Sequence, residues 1–168
     1  MTAVKIFGST LAFLVLAPLA GASIAQDLPV KLMPPAGVVK IGTYLGKGVQ
    51  IYSCTVHDTA PGWTLKAPEA QLTDANGAVF AKHYAGPTWE AADGSKAVGK
   101  MMETVPSPTA GAVPWLLLSA TSSGAGILSG TRFVQRINTA GGIAPSGACP
   151  EPGAEQRIPY SADYVFYR

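Results

Sequence analysis

Ile158-Pro159-Tyr160-Ser161-Ala162-Asp163-Tyr164-Val165-Phe166 places Ile158, Tyr160, Ala162, Tyr164 and Phe166 at every second position. That is the period of a pleated strand with one face in a core. Pro159 has no N–H to give to a ladder, so it fits only near the start of such a strand or on an edge. Upstream, residues 132–139 alternate Phe133 and Ile137 against Arg132 and Arg136, which predicts a strand with one wet face. Residues 115–121 open on an apolar run and are expected deep in the core. Two further strands, 78–84 and 97–105, follow the turns Asp74-Ala75-Asn76-Gly77 and Asp93-Gly94-Ser95. The Asn-Gly pair offers the positive φ angles of a tight hairpin. In residues 48–56, Val49 and Ile51 face one way and Tyr52, Cys54 and Val56 the other, the pattern of a central strand.

From Lys47 onward, Gly, Pro, Asn or Asp interrupts the chain at intervals of roughly 8–12 residues, the rhythm of a sandwich or barrel. No stretch holds a helical apolar period for three turns without meeting Gly or Pro. The fold class is therefore all-β: a single-domain β-sandwich or barrel over residues 47–168. Residues 26–46, with Pro29, Pro34 and Pro35, read as an extended lead-in.

The first 25 residues have a separate logic. One charge, Lys5, precedes an apolar run over residues 11–20, and the small residues Ala22, Ser23 and Ala25 follow it. This is the layout of a cleaved secretory signal, with Gln26 as the mature start and a cut after Ala22 as the alternative. The run contains Pro18 and falls short of the ~20 residues that cross a bilayer, so no permanent membrane anchor is expected. No cysteine follows it to carry a lipid. The expected location is periplasmic or extracellular.

Cleavage leaves 168 − 25 = 143 residues, enough for one domain with a core. Lys5 departs, so 12 − 1 = 11 basic residues face 10 acidic ones. So even a balance speaks against a nucleic-acid partner, which needs a clustered basic face. Two cysteines in an exported chain predict a Cys54–Cys149 disulfide. It would close a loop of 149 − 54 = 95 residues, worth at most about 4–5 kcal/mol by the chain-entropy model. A metal held by the pair is the weaker reading, because the C-x-x-C spacing is missing.

The densest chemistry lies in residues 83–95, where His83, Tyr84, Trp89, Glu90 and Asp93 surround a Gly86-Pro87 bend. An imidazole, carboxylates, a phenol and an indole make the mixture a small-molecule pocket uses. A histidine beside a carboxylate can also act as a general base. The scaffold alternative packs Trp89 in the core, ties Glu90 and Asp93 to loop backbone, and lets His83 cap the bend. His57 and His83 with Glu90 or Asp93 are the N and O donors a metal would find. A histidine in a polar turn is more often only solvated, so no metal or cofactor is expected. Thr139-Ala140-Gly141-Gly142, with Arg132 and Arg136, could cradle an anion, although such glycines more often turn a corner. Trp63, Trp89 and Trp115 could stack a sugar, but tryptophans in a small β domain are core residues first.

Other patterns exclude chemistry. Residues 124–130 imitate a dinucleotide fingerprint, but the third glycine comes one residue late and no helix follows. The mature chain has no G-x-S-x-G elbow, no H-E-x-x-H and no C-x-x-C.

Taken together, several strings resemble a family of exported bacterial and fungal proteins, domain of unknown function 3455. They are Gly48-Val49-Gln50-Ile51-Tyr52-Ser53-Cys54, His83-Tyr84, Gly86-Pro87-Thr88-Trp89-Glu90, Asp93-Gly94-Ser95 and Pro114-Trp115-Leu116-Leu117-Leu118. Gln135-Arg136-Ile137-Asn138-Thr139, Gly141-Gly142, Cys149 and Ile158-Pro159-Tyr160-Ser161-Ala162-Asp163-Tyr164 complete the set. The resemblance implies export and one domain over nearly all of the mature chain, and implies no activity. The leading expectation is a module that binds a small polar ligand through His83, Tyr84, Trp89, Glu90, Asp93 and Arg136. The alternatives are a hydrolase-type enzyme using His83 with Glu90 or Asp93, and a structural envelope protein without a ligand.

Overall fold

The computed structural model describes residues 27–57 and 60–168, and the expected signal lies outside the described residues. Eight antiparallel strands follow in chain order: β1 Lys40–His57, β2 Ala60–Thr73, β3 Val79–Tyr84, β4 Thr88–Ala91, β5 Lys96–Val105, β6 Trp115–Ser123, β7 Phe133–Gly141 and β8 Glu155–Tyr167. Each pairs with the next, and β8 pairs with β1 from Lys40↔Tyr167 to Ser53↔Glu155, closing a barrel. Of the two architectures expected, the barrel is the one formed. Closure leaves the sheet without an exposed edge.

The alternation in β8 is realised from Tyr160 onward: Tyr160, Ala162, Tyr164 and Phe166 are buried inside, while Ile158 is half-buried. Pro159 lies one residue beyond the last β7 pair, Gly141↔Tyr160, where the β7 ladder has ended. The hairpin after β2 differs in detail from the expected turn. Gly77 alone takes positive φ, at 83°, and Asn76 does not. Asp74 closes the turn instead, its Oδ1 accepting the N–H groups of Asn76 and Ala78 at 2.9 Å each.

β1 begins at Lys40, inside the segment read as lead-in, because residues 40–46 pair with the last turns of β8. The segment before it forms a short 3-10 turn, Val30–Leu32, against the outside of β6 and β7. Leu32 is fully buried there with Trp115 and Leu117, a burial worth about 1.5–3 kcal/mol. Gln135 fixes the seat: its Nε2 donates to Leu32 O at 2.5 Å and its Oε1 accepts from Tyr167 Oη at 2.6 Å.

That cover corrects the reading of β7. Phe133 and Ile137 pack outside the barrel, under the lead-in. The opposite face carries Val134, paired with Phe166, and Arg136, paired with Tyr164. Arg136 therefore shares the inward face of Tyr164, and the expected wet face points into the barrel.

Cys54 and Cys149 are joined in a disulfide, as expected, with Cα atoms 5.6 Å apart. It ties the loop after β7 to β1, and Tyr52 adds a hydrogen bond from its Oη to Gly142 O at 2.7 Å. Gly142 holds φ at +83°, and a Cβ there would come within 2.7 Å of Tyr160 Cβ. Gly141 and Gly142 thus turn a corner, the plainer of their two readings.

The barrel has two unlike ends. At the end near the 74–78 turn, Tyr44 and Phe80 stack with centroids 3.4 Å apart, and Phe166 sits edge-on to Phe80 at 5.5 Å. Leu72 and Leu128, both fully buried, complete this plug. The other end, near the 85–87 bend and the disulfide, is polar inside.

Candidate functional site

A cavity of about 430 Å³ occupies the polar end. Its walls include Gln50 of β1, His83 of β3, Trp89 of β4, Leu118 of β6, Arg136 of β7 and Tyr164 of β8. β2 and β5 supply rim residues, among them Leu65 and Met101, which are 50% and 61% exposed. Gln50, His83, Trp89 and Tyr164 are at most 3% exposed. An exposed rim over a buried polar floor describes the mouth of a barrel. Eight strands give a bore just wide enough to be filled by side chains or to hold one small ligand.

Strand parity explains who arrives there. β3 and β4 pair His83↔Trp89, and these two face inward together. The His83 ring lies flat on the Trp89 ring, with centroids 4.6 Å apart and planes 3° apart, and meets Tyr164 edge-on at 5.2 Å. His83 Nδ1 is 2.9 Å from Thr88 O. A carbonyl only accepts, so the neutral ring carries its proton on Nδ1 and leaves Nε2 as an acceptor. No hydrogen bond reaches Nε2 among the described residues. Burial pushes the His83 pKa down to about 4, the Thr88 hydrogen bond opposes the shift, and Arg136 adds to it. The ring is thus neutral at pH 7.

Gln50 is the residue that sequence reading missed. It is fully buried, and neither its Oε1 nor its Nε2 has a hydrogen-bond partner among the described residues. Trp89 Nε1 is likewise unpartnered. The signal was present: an amide in the middle of a strand whose two faces are both apolar. Arg136 donates from Nε and Nη2 to Pro114 O, at 3.2 and 2.9 Å. Arg136 is paired with Tyr164 across β7 and β8 and shares its face of the sheet. Tyr164 Oη lies 3.1 Å from Tyr160 Oη, and burial raises the pKa of both phenols.

Of the residues expected to form a ligand site, His83, Trp89 and Arg136 come together here. Tyr84, Glu90 and Asp93 do not join them. Glu90 follows Trp89 and so points outward, where its Oε2 accepts from Tyr84 Oη at 2.7 Å and lies 3.4 Å from Lys96 Nζ. The Tyr84 hydrogen bond, then Lys96, lowers the Glu90 pKa. Asp93 lies beyond β4, at the aromatic end. Its Oδ1 accepts from Ser95 N at 3.0 Å and Ser95 Oγ at 2.6 Å, and its Oδ2 from Ile127 N at 2.8 Å. These bonds lower its pKa, the Ser95 hydroxyl most. A Gly86-Pro87 bend surrounded by these side chains would have to fold both carboxylates back toward His83. Period-two alternation instead sends one outside, and the length of β4 carries the other away. The string at 124–130 also finds its use here, as the loop that Asp93 and Ser95 pin.

No cluster of metal-binding side chains occurs among the described residues, and the side chain of His57 lies outside them. No helix among the described residues is long and apolar enough to cross a membrane.

A family model described as a protein of unknown function (DUF3455) matches residues 35–168, from just before β1 to the last described residue. The chain belongs to that family. Neither the curated proteins nor the solved structures gave a match.

Proposed function

We propose that this member of the DUF3455 family is a binding module that holds one small ligand in the mouth of its barrel, against Gln50, His83, Arg136 and Tyr164. The observation that carries this reading is Gln50. An unsatisfied buried polar group costs about 1–3 kcal/mol, and an apolar side chain of similar shape would avoid that cost. A fully buried amide with two unpartnered polar atoms, on the wall of a cavity that His83 also lines, supports a partner that enters from outside. About 430 Å³ falls within the range of small-molecule sites. The ligand offers a donor to His83 Nε2 and both a donor and an acceptor to Gln50. Mostly apolar walls at Leu116, Leu118, Pro87 and Trp89 take its body.

The test is an NMR screen of a small-molecule library, read on the side-chain resonances of His83 and Gln50. Hits are expected to shift both and to lose affinity in Ala67→Trp, which fills the rim. Absence of hits, or hits that map elsewhere on the barrel, would remove the reading.

We also infer that the module works outside the cytoplasm, in the periplasm or extracellular space. The charged, apolar and small-residue segments of the first 25 residues support this, and so does the disulfide. Intact mass of protein recovered from its host should lack residues 1–25, whereas full-length protein in the cytoplasm would contradict it.

A further inference from the structure

The cavity is charged on one side of the ledger only. None of the residues that line it is acidic, whereas Arg136, Lys66 and Lys100 are cationic. Lys66 and Lys100 belong to the rim, and Lys66 is bound to Glu155 on the outer surface. Arg136 is different. Strand parity turns it inward beside Tyr164, it is half-buried, and it forms no salt bridge with any described residue. Two of its donor groups meet only a backbone carbonyl, Pro114 O. A guanidinium keeps its charge at any working pH, and in a half-buried place it gains most from an anion. Gln50, His83 and Tyr164 are the other polar side chains inside, and the aromatic and leucine walls around them suit a ligand with an apolar body and few polar groups.

From this arrangement we propose that the ligand is an amphiphilic monoanion, a carboxylate on an apolar body, with the carboxylate on Arg136 and the body against Trp89, Leu116 and Leu118. This rests on the reading of the cavity as a ligand site and specifies what fills it. The carboxylate accepts from the guanidinium groups that Pro114 does not use. Tyr164, beside Arg136, supplies a hydroxyl as the carboxylate's second partner. His83 Nε2, which only accepts, then faces a hydroxyl or amide donor on the ligand body rather than the carboxylate.

Isosteres separate charge from shape. Octanoate, octanol and octylammonium share one body, as do phenylpropionate and phenylpropanol, and calorimetric titration at pH 7 and low salt gives each affinity. At least one carboxylate is expected to bind about tenfold or more tightly than its alcohol, the usual advantage of a charge-assisted hydrogen bond, and the ammonium weakest of all. Arg136→Gln should bring acid and alcohol to within about twofold, and Arg136→Lys should restore part of the difference. Should Arg136→Gln fail to fold, the acid-to-alcohol ratio in the unaltered protein still decides. Equal binding of acid and alcohol would overturn the anion, as would failure of both carboxylates to bind while library hits still shift His83 and Gln50. Failure of the library hits themselves would instead remove the cavity reading on which the proposal stands.

Discussion

The same eight strands finish in two different ways. At the end near the 74–78 turn, the inward positions hold Leu72, Phe80 and Phe166, rings and methyls that fill the bore. At the end near the disulfide, the corresponding positions hold Gln50, His83 and Arg136, and the bore stays open. Trp89 divides them, edge-on to Phe166 at 5.6 Å on one side and flat on His83 on the other. The polar end cannot draw stability from close packing, and it is the end with a covalent staple. Close packing and the candidate site thus occupy opposite ends of one barrel, and a change at either end should leave its own signature.

Removing the staple should have the largest effect. Cys54→Ser with Cys149→Ser frees a loop of 95 residues, and up to about 4–5 kcal/mol should disappear from the unfolding free energy measured in denaturant. Phe166→Ala at the plugged end should cost about 3–5 kcal/mol, since the ring is fully buried among Tyr44, Phe80 and Trp89. Ligand affinity should respond to the first change and little to the second, where the folded fraction is held equal. A loss of affinity in Phe166→Ala as large as in the disulfide variant would show that the two ends are one unit.

His83 gives a pH signature of intermediate size. Unfolded, it binds a proton near pH 6.5, and folded it resists until about 4. The unfolded state therefore holds more protons between those values, so stability rises with pH there. The contribution is complete above about pH 7 and falls away as the pH drops toward 4, a loss on the order of 3 kcal/mol. Arg136 helps to set the shift, while Trp89 and Tyr164, the other neighbours of the ring, do not titrate in this window. In His83→Phe the decline between pH 6.5 and 4 should flatten, leaving only the carboxylates near its acid end. An unchanged slope in that variant would place a charged or solvated imidazole at position 83.

Much of this was legible in advance. The alternation of β8 survives from Tyr160 to Phe166, because that face of the strand meets the core, although Val165 on the other face is buried as well. The turns at Asp74 and Asp93 stand where their residues put them. Sandwich against barrel was not legible, because it depends on β1 meeting β8, a pairing between segments more than a hundred residues apart that no local pattern records. The inward course of Arg136 was not legible either. Phe133 and Ile137 looked like a core face, yet Leu32 covers them from outside and releases the opposite face to the interior. His83 stands in the strand read over residues 78–84, and its pairing with Trp89 carries it inside. Gln50 was quoted only as part of a strand; an amide in a strand with two apolar faces was the signal, but whether it finds a partner depends on strands distant in sequence.

The smallest predicted change in stability is also the sharpest question, and it concerns Gln50. If its polarity serves a ligand and not the fold, Gln50→Leu should leave the unfolding free energy within about 1 kcal/mol of the parent or raise it, because two buried groups cease to lack partners. The same variant should bind the compounds that shift His83 and Gln50 at least about tenfold more weakly. A Gln50→Leu protein destabilised by about 2–3 kcal/mol that binds them as tightly as before would make Gln50 part of the scaffold and contradict the account.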